Sequence, residues 1–175
     1  MPLALNNFSN VFGLFACAAQ YSKVLLDAKK TWPNVPVITV GHVLVEGVKK
    51  LGMELLGNSK EVVFPQKIFT GNDATFMGHV HCEQHLSDEP YIHYIGSLDR
   101  IDFGEETDNK VFAVVDIKEY KNDNKEYPYI SKIDSIKYIP IPTRPIYHIK
   151  IDLKKAEDIN PTDTIMQIAG EYSLK

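Results

Sequence analysis

The chain predicts an α/β fold, and three observations carry that expectation. Residues 8 to 31 repeat apolar side chains at helical spacing. Two short apolar runs, PVITV and ATFM, are each followed directly by Gly-His. From Tyr91 onward the sequence turns β-rich, with strand-like runs divided by polar turns.

The first helix is expected from Val11, Leu14, Phe15, Ala18, Ala19, Val24, Leu25 and Ala28, with Ser9 or Asn10 as its cap. Pro33 disfavours helical geometry at Trp32 and stops it. Pro36 to Val40 follows as a strand. It is β-branched and apolar on both faces, the pattern of a covered, mostly parallel sheet. Residues 43 to 60 are broken by Gly47, Gly52 and Gly57 and predict loop and short helix. Pro65 opens a helical turn at QKIF, and Ala74 to Met77 form a second buried strand. In the second half, IHYIGSLDRI, KVFAVVDIKEY, SIKYIPI and IYHIKIDL are strand candidates separated by turns such as NDNKEYP and PTRP, and a short helix is expected near Thr164 to Ala169.

A chain of 175 residues, 44% apolar and 24% charged, supports one core with at most a small appendage. The layout is α/β in its first half and dominated by strands from Tyr91 onward. A net charge of −4 excludes a broad basic surface for nucleic acid, so any DNA contact needs local residues, metal ions or a partner. Two cysteines, Cys17 and Cys82, build no disulfide framework, and a reducing cytoplasm is the expectation. The run Val11 to Ala19 is too short to cross a bilayer and lacks a preceding basic residue, so it reads as part of a buried helix.

His42 and His79 each follow a glycine at the end of an apolar run, and His81 comes two residues later in GHVH. Ligands of open α/β sheets bind outside the carboxyl ends of the strands. Neighbouring strands would therefore bring these imidazoles to one rim, where they suit Mn, Fe, Zn or Ni. Each histidine taken alone is equally well a loop residue. His85 and His93 read as surface or packing residues, His148 as a strand residue, and Cys82 as a half-buried thiol.

The ordered segments VPVITVGHVLVEG, DATFMGHVHCEQHL and YIHYIGSLDRIDFGEE resemble the calcineurin-like metallophosphoesterases, and within them the SbcD-type nuclease subunits. YIPIPTRPIYHIKIDL resembles the start of the capping domain of that family. The resemblance implies the C-terminal half of a metallophosphoesterase β-sandwich with flanking helices over residues 1–120, followed by part of a small α+β capping region over residues 121–175. It implies His42 and His79 as ligands of a second metal and His81 as a ligand of a first. The implied ions are two Mn2+, with Mg2+ as the substitute, hydrolysing DNA phosphodiesters. Arg100 is then a candidate phosphate contact, against the plainer reading of an ion pair with Asp99 or Asp102, and Arg144 is expected to pack or pair at the junction.

The family's earlier DxH, GDxxD and GNH motifs are absent before His42, and Gly71-Asn72-Asp73 is a decoy that lacks the histidine. The expectation is a chain inactive by itself, whose ligand set is completed by an N-terminal-half nuclease chain. Further implied partners are DNA, an SbcC-like SMC ATPase and a second copy of the completed nuclease. A competing reading is a non-catalytic module that binds such an ATPase or a host nuclease. A phosphoesterase for phosphoproteins or cyclic nucleotides is a third, and YIGSLDRIDFGEE speaks against it.

Overall fold

The computed structural model describes residues 3–49, 62–147 and 160–173. The short helix expected after residue 49 and most of IYHIKIDL, including His148, lie outside them. Helix α1 (Leu3–Thr31) begins earlier than the apolar spacing suggests. It rests on the sheet through Tyr21, which the spacing passed over, and through Leu25. The Tyr21 hydroxyl lies 2.8 Å from Thr39 Oγ1, and its ring meets Phe69 edge-on. Leu25 is buried, whereas Val24 and Leu26 are exposed. Cys17, in the run expected to be part of a buried helix, is exposed.

Strands β1 (Ile38–Gly41), β4 (Ala74–Met77), β5 (Gln84–Asp88) and β6 (Tyr91–Tyr94) form one sheet in the order β1-β4-β6-β5. β1, β4 and β6 run parallel, and β5 closes one side antiparallel. All four residues of β4 are buried, as a central parallel strand requires. β1 departs from the covered strand expected of it. It is the other edge of the sheet, and Val40 is 81% exposed there.

Part of the stretch expected as loop and helix is a strand, β2 (Leu44–Val45), paired parallel with β3 (Val63–Phe64). The QKIF turn is a 3-10 helix, Gln66–Phe69. Val45, Phe69, Met77, Val80, Ile92 and Tyr94 make the core. Tyr94 stitches it: its hydroxyl donates to Val43 O and accepts from Val45 N, each at 2.8 Å. Burial pushes that phenol up to about 12, with the Val45 N–H pulling the other way.

Beyond a second 3-10 turn (Phe103–Glu105), β7 (Val111–Lys121) and β8 (Tyr129–Pro140) form a long antiparallel ribbon with a register shift between Asp116 and Ile117. The boundary expected after residue 120 falls at the ribbon's far end, where Lys121 pairs with Tyr129. Helix α2 (Pro161–Ser173) is longer than the short helix expected. Among the described residues, no helix is long and apolar enough to cross a membrane. The fold is mixed α/β, as the sequence predicts.

Candidate metal centre

The register Gly41↔Met77 aligns the carboxyl ends of β1 and β4. Both strands turn at that rim on a glycine, and the turns are tied together because Gly78 N donates to Gly41 O at 2.8 Å. The His42 and His79 rings consequently meet with centroids 5.3 Å apart and planes at 73°. Gly78 is needed for room, since a Cβ there would lie 2.8 Å from His42 Nδ1.

His79 carries φ +83. A side chain in that left-handed region costs about 1 kcal/mol or more, so the surroundings must hold it. The next residue does so, because Val80 is buried in the core. Beside His42 lies a cleft of about 530 Å³ walled by Val40, Phe76, Met77 and Ile95.

His81 takes a different course. Its Nδ1 lies 2.8 Å from Glu105 Oε1. Its carbonyl accepts from Ser97 N at 3.0 Å and Lys110 Nζ at 2.9 Å. Gly96, at φ +83, lets the neighbouring segment pass, since a Cβ there would stand 2.7 Å from the same carbonyl. The Glu105 and Lys110 side chains are 4% and 0% exposed and 2.7 Å apart. Burial pushes the Glu105 carboxyl up, but hydrogen bonds from Lys110, His81 and Ile101 N outweigh it and hold it below the usual carboxylate range.

Ligand atoms of His81, Asp102 and Glu105 all lie within 4.8 Å of one another. Two features argue against a three-ligand cation cage there. The Lys110 ammonium already neutralises Glu105, and Asp102 Oδ1 caps the 3-10 turn by accepting from Gly104 N at 2.7 Å. The geometry is that of a histidine oriented by a carboxylate. Of the three imidazoles expected together, His42 and His79 face each other and His81 turns onto Glu105. Among the described residues no third potential ligand joins the His42–His79 pair within that same span.

Glu105, Lys110, Ser97 and Gly96 were not singled out by the sequence reading, although all but Lys110 lie inside YIGSLDRIDFGEE. Their signal was local only in part, because the His81–Glu105 contact closes 24 residues of chain.

Arg100 corrects an expectation. Its guanidinium donates to backbone carbonyls, from Nε and Nη2 to Asp108 O at 3.3 and 3.2 Å and from Nη1 to Arg144 O at 3.3 Å. The ion pair foreseen for Arg100 with Asp99 belongs to Arg144 instead, whose Nε sits 2.8 Å from Asp99 Oδ2. Arg144 thus makes a pair, as expected of it. With its fork engaged, Arg100 serves as a clamp between the loop and the Arg144 segment.

His93 is a packing residue, stacked on Tyr138 at 4.0 Å, and its Nε2 lies 2.6 Å from Glu83 Oε1 but out of line for a well-formed N–H bond. His85 pairs with Asp88 at 2.9 Å near the surface. In the decoy Gly71-Asn72-Asp73, Asn72 bonds Thr75 Oγ1 and the Tyr21 hydroxyl, while Asp73 accepts from Val37 N at 2.8 Å, so both side chains have structural work.

No protein-family model matches the chain. The fit of a metal is therefore a matter of donor chemistry. Two facing imidazoles at a strand-end rim, with a third held nearby in sequence by a carboxylate, suit one side of a divalent transition-metal centre. Carboxylate ligands for the other side are still required, because imidazoles alone provide neither a bridging anion nor charge neutralisation.

Proposed function

We propose that this chain supplies the histidine side of a two-metal phosphodiesterase centre in a Mn2+-dependent DNA exonuclease or endonuclease of the SbcD type. The observation that carries the reading is the His42–His79 pair, set 5.3 Å apart at the carboxyl ends of two parallel strands. Bound divalent ions would clamp the scissile phosphate, lower the pKa of a bound water and stabilise the leaving oxygen.

The residues of this chain hold and aim ligands. His42 and His79 offer imidazole nitrogens from two separate turns, Gly78 leaves the room that His42 occupies, and the anchored backbone at Val80 fixes His79. His81, assigned to the other ion, is turned by Glu105. The bridging carboxylate, the remaining ligands and the acid for the leaving group would come from residues outside this sequence that carry the DxH, GDxxD and GNH motifs, in this proposal on a complementing chain. The open edge of β1, next to the histidines, supports addition at that place, since an edge strand exposes unpaired backbone donors and acceptors. A protein of net charge −4 approaches DNA without a basic surface if the metals neutralise the phosphate.

The test mixes the full chain with such a complementing chain and follows digestion of DNA ends with and without Mn2+. Mn2+-dependent cleavage that disappears in a His42→Ala/His79→Ala double variant supports the proposal. No cleavage in the mixture, together with no Mn2+ binding by either chain or both, overturns it.

A further inference from the structure

We infer that Glu105 is a positioning residue that fixes the tautomer of His81, placing the proton on Nδ1 and turning the Nε2 lone pair outward as the metal-facing nitrogen. The inference rests on the metal reading above for what Nε2 meets, but the tautomer itself follows from the hydrogen bonds around Lys110.

Lys110 is buried and has three hydrogen-bond partners, His81 O at 2.9 Å, Ser97 Oγ at 2.8 Å and Glu105 Oε2 at 2.7 Å, with Asp108 Oδ2 farther off at 3.9 Å. An ammonium has three protons and no acceptor, so all three contacts are donations and each partner atom must accept. Ser97 Oγ can accept because its own proton goes to Asp99 O at 2.8 Å. Glu105 Oε2 also receives Ile101 N at 3.2 Å. A carboxylate so surrounded by donors is an acceptor at both oxygens, and the remaining one, Oε1, faces His81 Nδ1 at 2.8 Å. Only an Nδ1–H satisfies that contact. In the neutral ring Nε2 is then the unprotonated nitrogen, and a carboxylate behind the ring raises its basicity toward a cation.

Lys110 ties the two halves of this device together. It holds the His81 backbone through the carbonyl and the His81 ring through Glu105, so the side chain is set from both ends by one buried cation. Asp102, the other acid near the ring, is committed to Gly104 N and does not replace Glu105.

The arrangement makes an unusual substitution informative. In Glu105→Gln the Lys110 ammonium still demands an acceptor, so the amide oxygen must point to Lys110 and the amide NH2 to His81. His81 Nδ1 then becomes the acceptor and the proton moves to Nε2, closing the metal-facing nitrogen. The volume and the Lys110 hydrogen bond are retained, the charge opposite Lys110 is lost, and the tautomer inverts.

The experiment is long-range 1H–15N correlation of the histidine rings in the metal-free full chain, wild type and Glu105→Gln, followed by Mn2+ titration read from paramagnetic broadening of the His42, His79 and His81 ring signals. The expected result is His81 as Nδ1–H in the wild type and Nε2–H in the variant, with the Mn2+ concentration for half-broadening at His81 raised roughly 10- to 100-fold. His81 found as Nε2–H in the wild type overturns the inference whether or not the variant folds. An unchanged tautomer in a folded Glu105→Gln overturns it too. The expected tautomers combined with no Mn2+ broadening at any of the three rings uphold the role of Glu105 and sink the metal reading, so the two failures are told apart.

Discussion

Individual side chains at the strand-end rim act through space and protonation more than through sequence position. Gly78 is the clearest case, because the His42 ring occupies the volume that any Cβ would need. Gly78→Ala is expected to push His42 away from His79 and weaken Mn2+ binding by roughly 10-fold, comparable to losing a second-sphere contact. Overpacking of this kind costs about 1–3 kcal/mol, so the chain stays folded and the loss is read by titration alongside a thermal melt. His93 makes a prediction about pH. Burial lowers its pKa from the ordinary 6.5, with the Glu83 carboxylate opposing and His85 reinforcing the shift. Below pH 6.5 the unfolded chain therefore takes up a proton that the folded chain refuses, and stability falls as the pH drops toward the folded value. His93→Phe keeps a ring against Tyr138 and removes the titration. Its denaturant midpoint is expected to change less with pH in the window just below 6.5, and an unaltered slope would show that His93 is not the group responsible.

Secondary-structure elements differ in how firmly they are held. β4 is covered on both faces, whereas β7 and β8, among the described residues, form a sheet of two strands that are mostly half-buried or exposed. Such a ribbon is marginal in water without a surface to rest on. Its attachments are few and specific. Tyr138 stacks on His93 and shares a hydroxyl contact with Tyr91, and Ser131 N donates to Asn34 O at 2.7 Å. Burial raises the Tyr138 hydroxyl far above its ordinary range, and the Tyr91 contact adds to the shift. It therefore remains a neutral donor and acceptor at every ordinary pH. Tyr138→Ala is expected to lower hydrogen-exchange protection across residues 111–121 and 129–140 while amides of β4 and β6 keep theirs. Equal loss in all four strands would mean that the ribbon and the sheet unfold as one unit.

At the scale of the whole molecule the open side is the β1 edge. β5 bounds the sheet opposite it, and among the described residues no strand pairs with the outer side of β1, next to an 81% exposed Val40 and the edge-to-face pair His42 and His79. Binding of a complementing chain at that edge is expected to raise hydrogen-exchange protection of residues 38–41 without affecting β5. Cleavage by the mixture is expected to fall by roughly 100-fold or more when His42 or His79 is replaced by Ala, since in the proposed centre each would remove a direct ligand. Protection at β5 instead of β1 would place the partner elsewhere and separate association from the proposed chemistry.

Read alone, the amino acids mark the carboxyl ends of two strands, β1 and β4, and the residues that stand there, but not β2, β3 or β5. Apolar runs of β-branched and small residues cut by Gly-His placed β1, β4 and their imidazoles, and a helix stopped before Pro33 was readable for the same local reasons. Tertiary structure decided which of those runs is central and which is an edge, because PVITV and ATFM look alike until neighbours are assigned. It also decided that His42 meets His79 while His81 meets Glu105, and that Asp99 pairs with Arg144 rather than Arg100. Strand periodicity is written in adjacent residues, but an ion pair or a hydrogen bond across 24 or 45 positions depends on loop closure that no local pattern encodes.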